Sequence, residues 1–219
     1  MRTVSLLRKL FMALTGLFLS FFLIIHLLGN FQLFLEPAVA QEQFNYYSDL
    51  LSGNIIIKIV SFVLYFSIIG HIICALIISI HNRKVAGQYK VDRRGRASAW
   101  ESRNMGFLGT ILFVFLVIHF ADFWYVYKFG EIGIDPFGKK DLYTVVVTTF
   151  SNIFYVIIYV ISMLALGLHL RHGVHSAMRT LGVFNPNYVK GLRVVGLVYT
   201  YAITLGFVAI PLFVFFKQL

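Results

Sequence analysis

Residues 164–173 read Leu-Ala-Leu-Gly-Leu-His-Leu-Arg-His-Gly and place His169 near the end of a long apolar run that begins around Val145. Three other apolar runs also hold a histidine, inside the hydrophobic stretch or at its margin: His26, His71 and His119. An imidazole in hydrocarbon is costly unless a partner satisfies its polar nitrogens. These four histidines therefore decide both the predicted fold and the predicted function.

The composition indicates an integral membrane protein. Of the 219 residues, 59% are hydrophobic and 13% are charged, whereas soluble domains have about 25% charged residues. The net charge of +10 does not predict a nucleic-acid partner, because the basic residues lie between apolar runs of bilayer length and fit a topology signal better. The single cysteine, Cys74, excludes a disulfide framework and a cysteine-ligated iron–sulfur site.

Five apolar runs are long enough to cross the lipid bilayer as helices. We predict an all-α integral membrane fold, with one transmembrane domain over residues 1–219 and a bundle of five helices at about 10–35, 54–80, 104–128, 143–171 and 194–216. A short amphipathic helix around Phe44, Tyr46 and Tyr47 is expected in the first loop. The most charged segment, residues 82–103, is expected to be a solvated loop.

The lysines and arginines predict the orientation of the bundle. The amino terminus, the loop between the second and third spans and the loop between the fourth and fifth hold 14 of the 19 basic residues and two of the nine acids. The positive-inside rule makes that face cytoplasmic. We call it the inner end and the opposite face the outer end; the odd number of spans places the amino terminus inside and Leu219 outside.

The position of each histidine along its span gives its depth, at about 1.5 Å per residue. His26 and His119 lie on spans that run outward, and both fall in the outer half of the bilayer. His71 and His169 lie late in spans that run inward, and both fall in the inner half. The four histidines therefore sort into two depth-matched pairs on four different helices.

Two such pairs predict bis-histidine ligation of two haems b, in which each iron takes two axial nitrogens from facing helices and apolar side chains hold the flat macrocycle. The alternative is that a neighbouring hydroxyl or carbonyl satisfies each histidine separately. His172 is a rival axial ligand to His169, and it or Arg179 could instead contact a haem propionate. A separate metal on His169, His172 and His175 is less favoured, because the last two lie at or beyond the predicted inner boundary.

Four segments in order carry a family resemblance. They are Phe-Leu-Ile-Ile-His-Leu-Leu-Gly-Asn at 22–30, His71 followed by Ile-His-Asn-Arg-Lys at 80–84, Val-Ile-His-Phe-Ala-Asp-Phe-Trp at 117–124, and Gly-Leu-His-Leu-Arg-His-Gly-Val-His-Ser-Ala-Met-Arg-Thr-Leu-Gly at 167–182. Together they resemble the five-helix, di-haem cytochrome b558 membrane subunit of succinate dehydrogenase and fumarate reductase, in the version of Bacteroidetes and related bacteria. The resemblance covers nearly the whole chain.

The resemblance implies that His26 and His119 ligate the iron of an outer haem b, and that His71 and His169 ligate the iron of an inner one, which favours His169 over His172. It implies an electron-transfer and anchor subunit, not an enzyme by itself, in the bacterial inner membrane. An iron–sulfur subunit and a flavoprotein subunit would dock at the cytoplasmic face, and menaquinone would react near the outer haem.

One position departs from the family pattern. Some fumarate reductases of this type have an acid two residues before the fourth ligand, as part of a proton path, and this chain has Gly167 there. Any proton movement is therefore expected to take another route.

The candidates for the quinone site are polar residues near the outer ends of the first two spans, namely Asn30, Gln32, Glu36 and Lys58. Asp122, three residues after His119, is either a proton-handling or quinone-facing group or an acid at a helix end that faces water. Two other functions remain open. One is a di-haem cytochrome b subunit of a nitrate reductase or hydrogenase, and the other is a haem-free membrane transport or structural protein.

Overall fold

The computed structural model describes residues 2–86, 100–183 and 185–217. Within these residues the chain is helical, apart from connecting turns and one isolated bridge between Ile134 and Lys140. Most of the predicted solvated loop, residues 87–99, lies outside the described residues.

α-Helices account for most of the described residues. In chain order they are α1 (Arg2–Asn30), α2 (Pro37–Gly53), α3 (Ile55–Ala86), α4 (Trp100–Arg103), α5 (Met105–His119), α6 (Val126–Phe129), α7 (Leu142–Phe150), α8 (Ile153–Thr180) and α9 (Val189–Lys217). A 3-10 turn at Phe31–Phe34 extends α1, and a π-helical turn at Phe120–Tyr125 joins α5 to α6.

Five helical segments are long and apolar enough to cross a membrane: Leu6–Phe34, Ile55–His81, Met105–Phe129, Ile153–Thr180 and Val189–Lys217. Large apolar side chains such as Phe21, Phe62 and Phe154 are exposed on their surfaces. In water such a surface would be unfavourable, whereas in a bilayer it meets lipid. These features suggest a multi-pass membrane protein, as the composition predicts.

Viewed along the bundle, the four helices that carry the paired histidines stand at the corners of a square. α1 packs against α3 and α8, α5 packs against α8, and α3 and α5 touch more sparsely. As a result α1 stands across one diagonal from α5, and α3 stands across the other from α8. The fifth long helix, α9, packs along α8 and α1.

The fourth predicted span, 143–171, differs from the structure at both ends. Its first residues form the separate helix α7, because the chain breaks at Asn152, whose backbone is extended and whose side chain caps α8 by accepting the amide hydrogen of Phe154. The predicted span runs through this break, although Ser151 and Asn152 interrupt the apolar run and Asn is a common helix N-cap. At the other end α8 continues nine residues past Arg171 to Thr180.

The end of α8 has a clear structural cause. Gly182 has a φ of +71°, its amide donates to the Arg179 carbonyl, and the Val183 amide donates to the Met178 carbonyl. These two bonds and the left-handed glycine form a Schellman motif, which closes a helix wherever such a glycine is available. α1, α3 and α9 also extend further into polar sequence at the inner end than predicted, since hydropathy marks the apolar stretch and not the end of the backbone hydrogen bonding.

The predicted helix in the first loop is present as α2, and it begins with Pro37 at its first turn. Asn45, which is fully buried, joins α2 to the loop before α7. Its amide nitrogen donates to Asp135 and to Asp141, both at 3.0 Å, and its oxygen accepts the Tyr143 amide hydrogen at 2.9 Å. We call α2, this loop and α7 the outer cap.

Asp135 is the carboxylate at the centre of the outer cap. Burial by itself would raise the pKa of Asp135, but hydrogen bonds from the Lys139 amide, the Asn45 side chain and the Phe137 amide hold that pKa below its usual value. A lowered pKa in the folded state means that the carboxylate contributes stability above the pKa of the unfolded chain, and that this contribution is lost as the pH falls through the folded-state pKa.

We predict that Asp135→Ala lowers the free energy of unfolding at neutral pH by about 2 kcal/mol, because three buried donors lose their acceptor. Thermal unfolding in detergent measures the change, and the gap to the unsubstituted protein should shrink as the pH falls below about 4. Glu131→Ala, at an exposed acid in the same loop, is the control and should be near neutral. Equal stabilities for the two variants would contradict the prediction.

Candidate functional site

The outer pair of histidines meets across the diagonal between α1 and α5. The ring centroids of His26 and His119 are 5.7 Å apart, with an angle of 89° between the ring planes. Phe22 stacks on His26 at 5.3 Å and Phe115 stacks on His119 at 5.5 Å. The surroundings of this pair are therefore aromatic and apolar.

The inner pair meets across the other diagonal, between α3 and α8. The ring centroids of His71 and His169 are 6.3 Å apart, with an angle of 61° between the planes. The Thr15 hydroxyl oxygen lies 3.2 Å from Nδ1 of His71. The structure thus brings together the two pairs that depth along the spans predicted.

The two pairs lie at different levels of the bundle. Thr15 and Gly16 of α1 lie beside His71, and His26 follows Gly16 by ten residues on the same helix. At a rise of 1.5 Å per residue the levels are about 15 Å apart along α1. That spacing leaves each pair its own layer of side chains.

The four histidines fit a haem at each level, although ligation itself stays a prediction. A metal-bound imidazole nitrogen lies roughly 2 Å from the metal and the ring centroid about 1 Å behind it, so two imidazoles on one iron have centroids roughly 6 Å apart. Both pairs have this separation. Each of the four histidines also keeps some accessible surface.

Two ring nitrogens of these pairs have no hydrogen-bond partner in the part of the protein that the structure describes. Nδ1 of His119 and Nδ1 of His169 are buried without a hydrogen-bond partner, a state that is unfavourable in an apolar interior. The alternative in which a neighbouring group satisfies each histidine therefore does not describe these two nitrogens. His71 has such a neighbour in Thr15.

No three metal-binding side chains gather anywhere in the described parts of the chain. The separate metal site considered on His169, His172 and His175 therefore has no geometric support. His172 lies instead on the wall of a cavity of about 250 Å³ between α4, α8 and α9.

This inner-end cavity is lined by polar groups on one side. Glu101 and Arg171 form an ion pair at 3.2 Å, with Glu101 almost covered, and His172, His175 and Arg193 also line the wall. Arg171 is paired with Glu101, and Arg193 is the second arginine of this wall. Arg179, the other predicted propionate contact, is exposed two turns beyond His172 and is not among the residues of this wall.

Three polar atoms near the outer end are buried: Oδ2 of Asp122, the hydroxyl of Tyr159 and Oε1 of Gln32. Asp122 lies on the π-helical turn that follows His119. Tyr159 interacts with the Asp122 carboxyl, and its ring centroid lies 6.2 Å from that of His119. Sequence reasoning named Asp122 and Gln32 but missed Tyr159.

The other three residues predicted for the quinone site do not direct a polar atom into the interior near His119. The side chain of Asn30 donates to the His26 carbonyl of its own helix at 2.8 Å. Glu36 is exposed before α2, and Lys58 is exposed at the outer end of α3. Of the four predicted residues, Gln32 alone turns a polar atom into the interior.

Gly167 lies where α8 and α9 are in closest contact beside the inner pair. A Cβ atom there would lie 2.6 Å from Thr204 Oγ1 and 3.0 Å from Thr204 Cγ2. Both contacts are too short, so no side chain fits. The acid that some relatives of the resembled family have at this position is therefore excluded by packing.

No family model, no curated protein and no solved structure matches the chain.

We predict that Gly167→Ala destabilises the bundle by about 1–3 kcal/mol, because the added methyl group forces α8 and α9 apart. Thermal unfolding in detergent checks this. Gly173→Ala is the matched control on the same helix, since nothing lies within 4 Å of a Cβ atom there. The prediction fails if Gly167→Ala is as stable as Gly173→Ala.

Proposed function

We propose that this chain is the membrane-anchor cytochrome b subunit of a succinate dehydrogenase or fumarate reductase. It would carry electrons between menaquinone near the outer end and an iron–sulfur subunit at the inner end. The observation that carries the proposal is the pair of histidine pairs, at two levels and on crossed diagonals, with centroids 5.7 and 6.3 Å apart. The resemblance of the four histidine-bearing segments supports the same function.

In this proposal His26 and His119 hold the outer haem b, and His71 and His169 hold the inner one. Bound haem supplies one-electron redox chemistry at iron. The chain would hold the two groups at fixed levels, and Phe22 and Phe115, which stack on His26 and His119, would lie beside the outer one. These are the means by which a protein tunes the potential of such a group.

The inner end supports the proposed docking of the other subunits. The cavity beside Arg171, His172 and Arg193 suits a haem propionate, because charge-assisted hydrogen bonds to a carboxylate are strong. The basic segments at this end offer a surface for the iron–sulfur subunit and, with it, the flavoprotein subunit. The chain has no proposed succinate site of its own, and its proposed location is the inner membrane of a bacterium.

The outer end supports a quinone site close to His119. Asp122 and Tyr159 place buried polar atoms there, and Oε1 of Gln32 is buried on the turn that follows α1. A menaquinol can donate its hydroxyl hydrogens to the Asp122 and Gln32 oxygens, and a quinone carbonyl can accept the hydrogen of the Tyr159 hydroxyl. An ionisable residue inside a membrane marks a functional site by default. We therefore propose these three residues in place of Asn30, Glu36 and Lys58.

Replacing one axial ligand tests the assignment of the inner pair. We predict that His169→Ala removes one of two b-type haems, because one iron loses a ligand, and that His172→Ala keeps both. A reduced-minus-oxidised spectrum and the haem content of the purified variants measure the outcome. Loss of haem in His172→Ala with retention in His169→Ala would reverse the assignment.

A substitution at Asp122 tests the proposed role of its carboxyl in the quinone reaction. We predict that Asp122→Asn slows the reduction of the haems by a menaquinol analogue roughly 10²-fold, because a neutral amide cannot take up a proton. Glu36→Gln, at an exposed acid, is the control and should react at the normal rate. Stopped-flow absorbance measures the rates, and equal rates for the two variants would exclude Asp122 from the quinone reaction.

Purification from native membranes separates the proposed function from its rivals. We expect a flavin-containing subunit to co-purify with the chain and the complex to oxidise succinate or reduce fumarate. Co-purification with nitrate reductase or hydrogenase activity would favour the other di-haem subunits. A chain without b-type absorption would be a haem-free transport or structural protein.

A further inference from the structure

Two adjacent residues of helix α1, Thr15 and Gly16, lie against the ring of His71. The Thr15 hydroxyl oxygen lies 3.2 Å from Nδ1. A Cβ atom on Gly16 would lie 3.3 Å from Cε1 of the same ring and 3.8 Å from Nδ1. The imidazole therefore rests against the backbone of α1, with a hydroxyl at one nitrogen.

The hydroxyl has one hydrogen, and its best acceptor is not the histidine. Thr15 Oγ1 lies 2.8 Å from the Phe11 carbonyl oxygen and 3.2 Å from that of Met12. Donation to the carbonyl four residues earlier is the usual bond of a helical threonine. A lone pair of Oγ1 is then left for His71, so Nδ1 must be the donor in this contact.

A donating Nδ1 determines which nitrogen can bind a metal. A neutral imidazole has one N–H, so Nε2 keeps its lone pair when Nδ1 carries the hydrogen. By contrast, Nδ1 of His169 on the opposite helix, and Nδ1 of His119 in the outer pair, are buried without a partner. Thr15 thus distinguishes His71 from these two histidines.

We propose that Thr15 is the positioning residue of the inner pair, which fixes the tautomer and the ring orientation of His71 and lowers the reduction potential of the inner haem. This rests on the proposed function, because it takes His71 as an axial ligand. An acceptor for the second N–H of a ligating histidine raises the basicity of the ligand. A more basic ligand favours the oxidised iron, which carries the higher charge.

The test compares three variants of the purified, haem-loaded protein by redox titration of the b-type absorption. Thr15→Val keeps the size of the side chain and removes the hydroxyl, and Thr15→Ser keeps the hydroxyl. Thr110→Val is the matched control, since Thr110 is exposed and makes the same kind of bond to the Gly106 carbonyl at 2.9 Å.

We expect Thr15→Val to move one of the two titration waves to higher potential and to leave the other in place. Thr15→Ser and Thr110→Val should titrate like the unsubstituted protein. If Thr15→Val loses one haem altogether while Thr15→Ser keeps both, the need for the hydroxyl is also supported.

Two results would overturn the inference. One is a Thr15→Val protein with both waves at their original potentials. The other is the same shift or loss in Thr15→Ser, because a variant that keeps the hydroxyl should keep the original potential. Failure of the proposed haem ligation looks different, because the unsubstituted protein would then contain no haem to titrate, and a complex with nitrate reductase or hydrogenase activity would overturn the proposed function without touching this inference.

Discussion

A polar side chain within hydrocarbon must find its partner inside the protein, because lipid offers none. This constraint acts on four histidines carried by α1, α3, α5 and α8. The rings of these histidines face one another in pairs across the diagonals of a square of helices, and Nδ1 of His119 and Nδ1 of His169 still have no partner in the described part of the protein. α1 and α8 pack closely along the sides of the square, whereas α3 and α5 touch more sparsely. The same packing of helices therefore determines both the fold and the geometry of the candidate site.

The two ends of the bundle meet the same constraint by different means. At the outer end, Asn45 links Asp135 and Asp141 into a fully hydrogen-bonded network, which ties α2 to α7. Between this cap and His119, Asp122 and Tyr159 bury polar atoms that interact with each other. At the inner end the ion pair between Glu101 and Arg171 borders a cavity. The hydrogen-bonded network of the outer cap and the buried polar atoms near His119 thus lie at different levels of the bundle.

Much of this organisation could be predicted from the sequence, because hydropathy and histidine depth both follow from the bilayer. The five long apolar helices and the grouping of His26 with His119 and of His71 with His169 needed only position along the chain. The break at Asn152 was missed although Ser151 and Asn152 interrupt the apolar run and Asn is a common helix N-cap. Tyr159 was missed because its closeness to Asp122 and His119 depends on the packing of the helices. The contact of Thr15 with His71 likewise depends on the packing of α1 against α3.

The most direct test of the central claim is the number of b-type haems bound per chain. The polypeptide, purified from membranes under mild detergent, would be quantified by amino-acid analysis and its haem by the pyridine haemochrome spectrum. We predict two haems b per chain. A value of zero in protein that has kept its native helical content would contradict the account, and a value of one would contradict the assignment of a haem to each histidine pair.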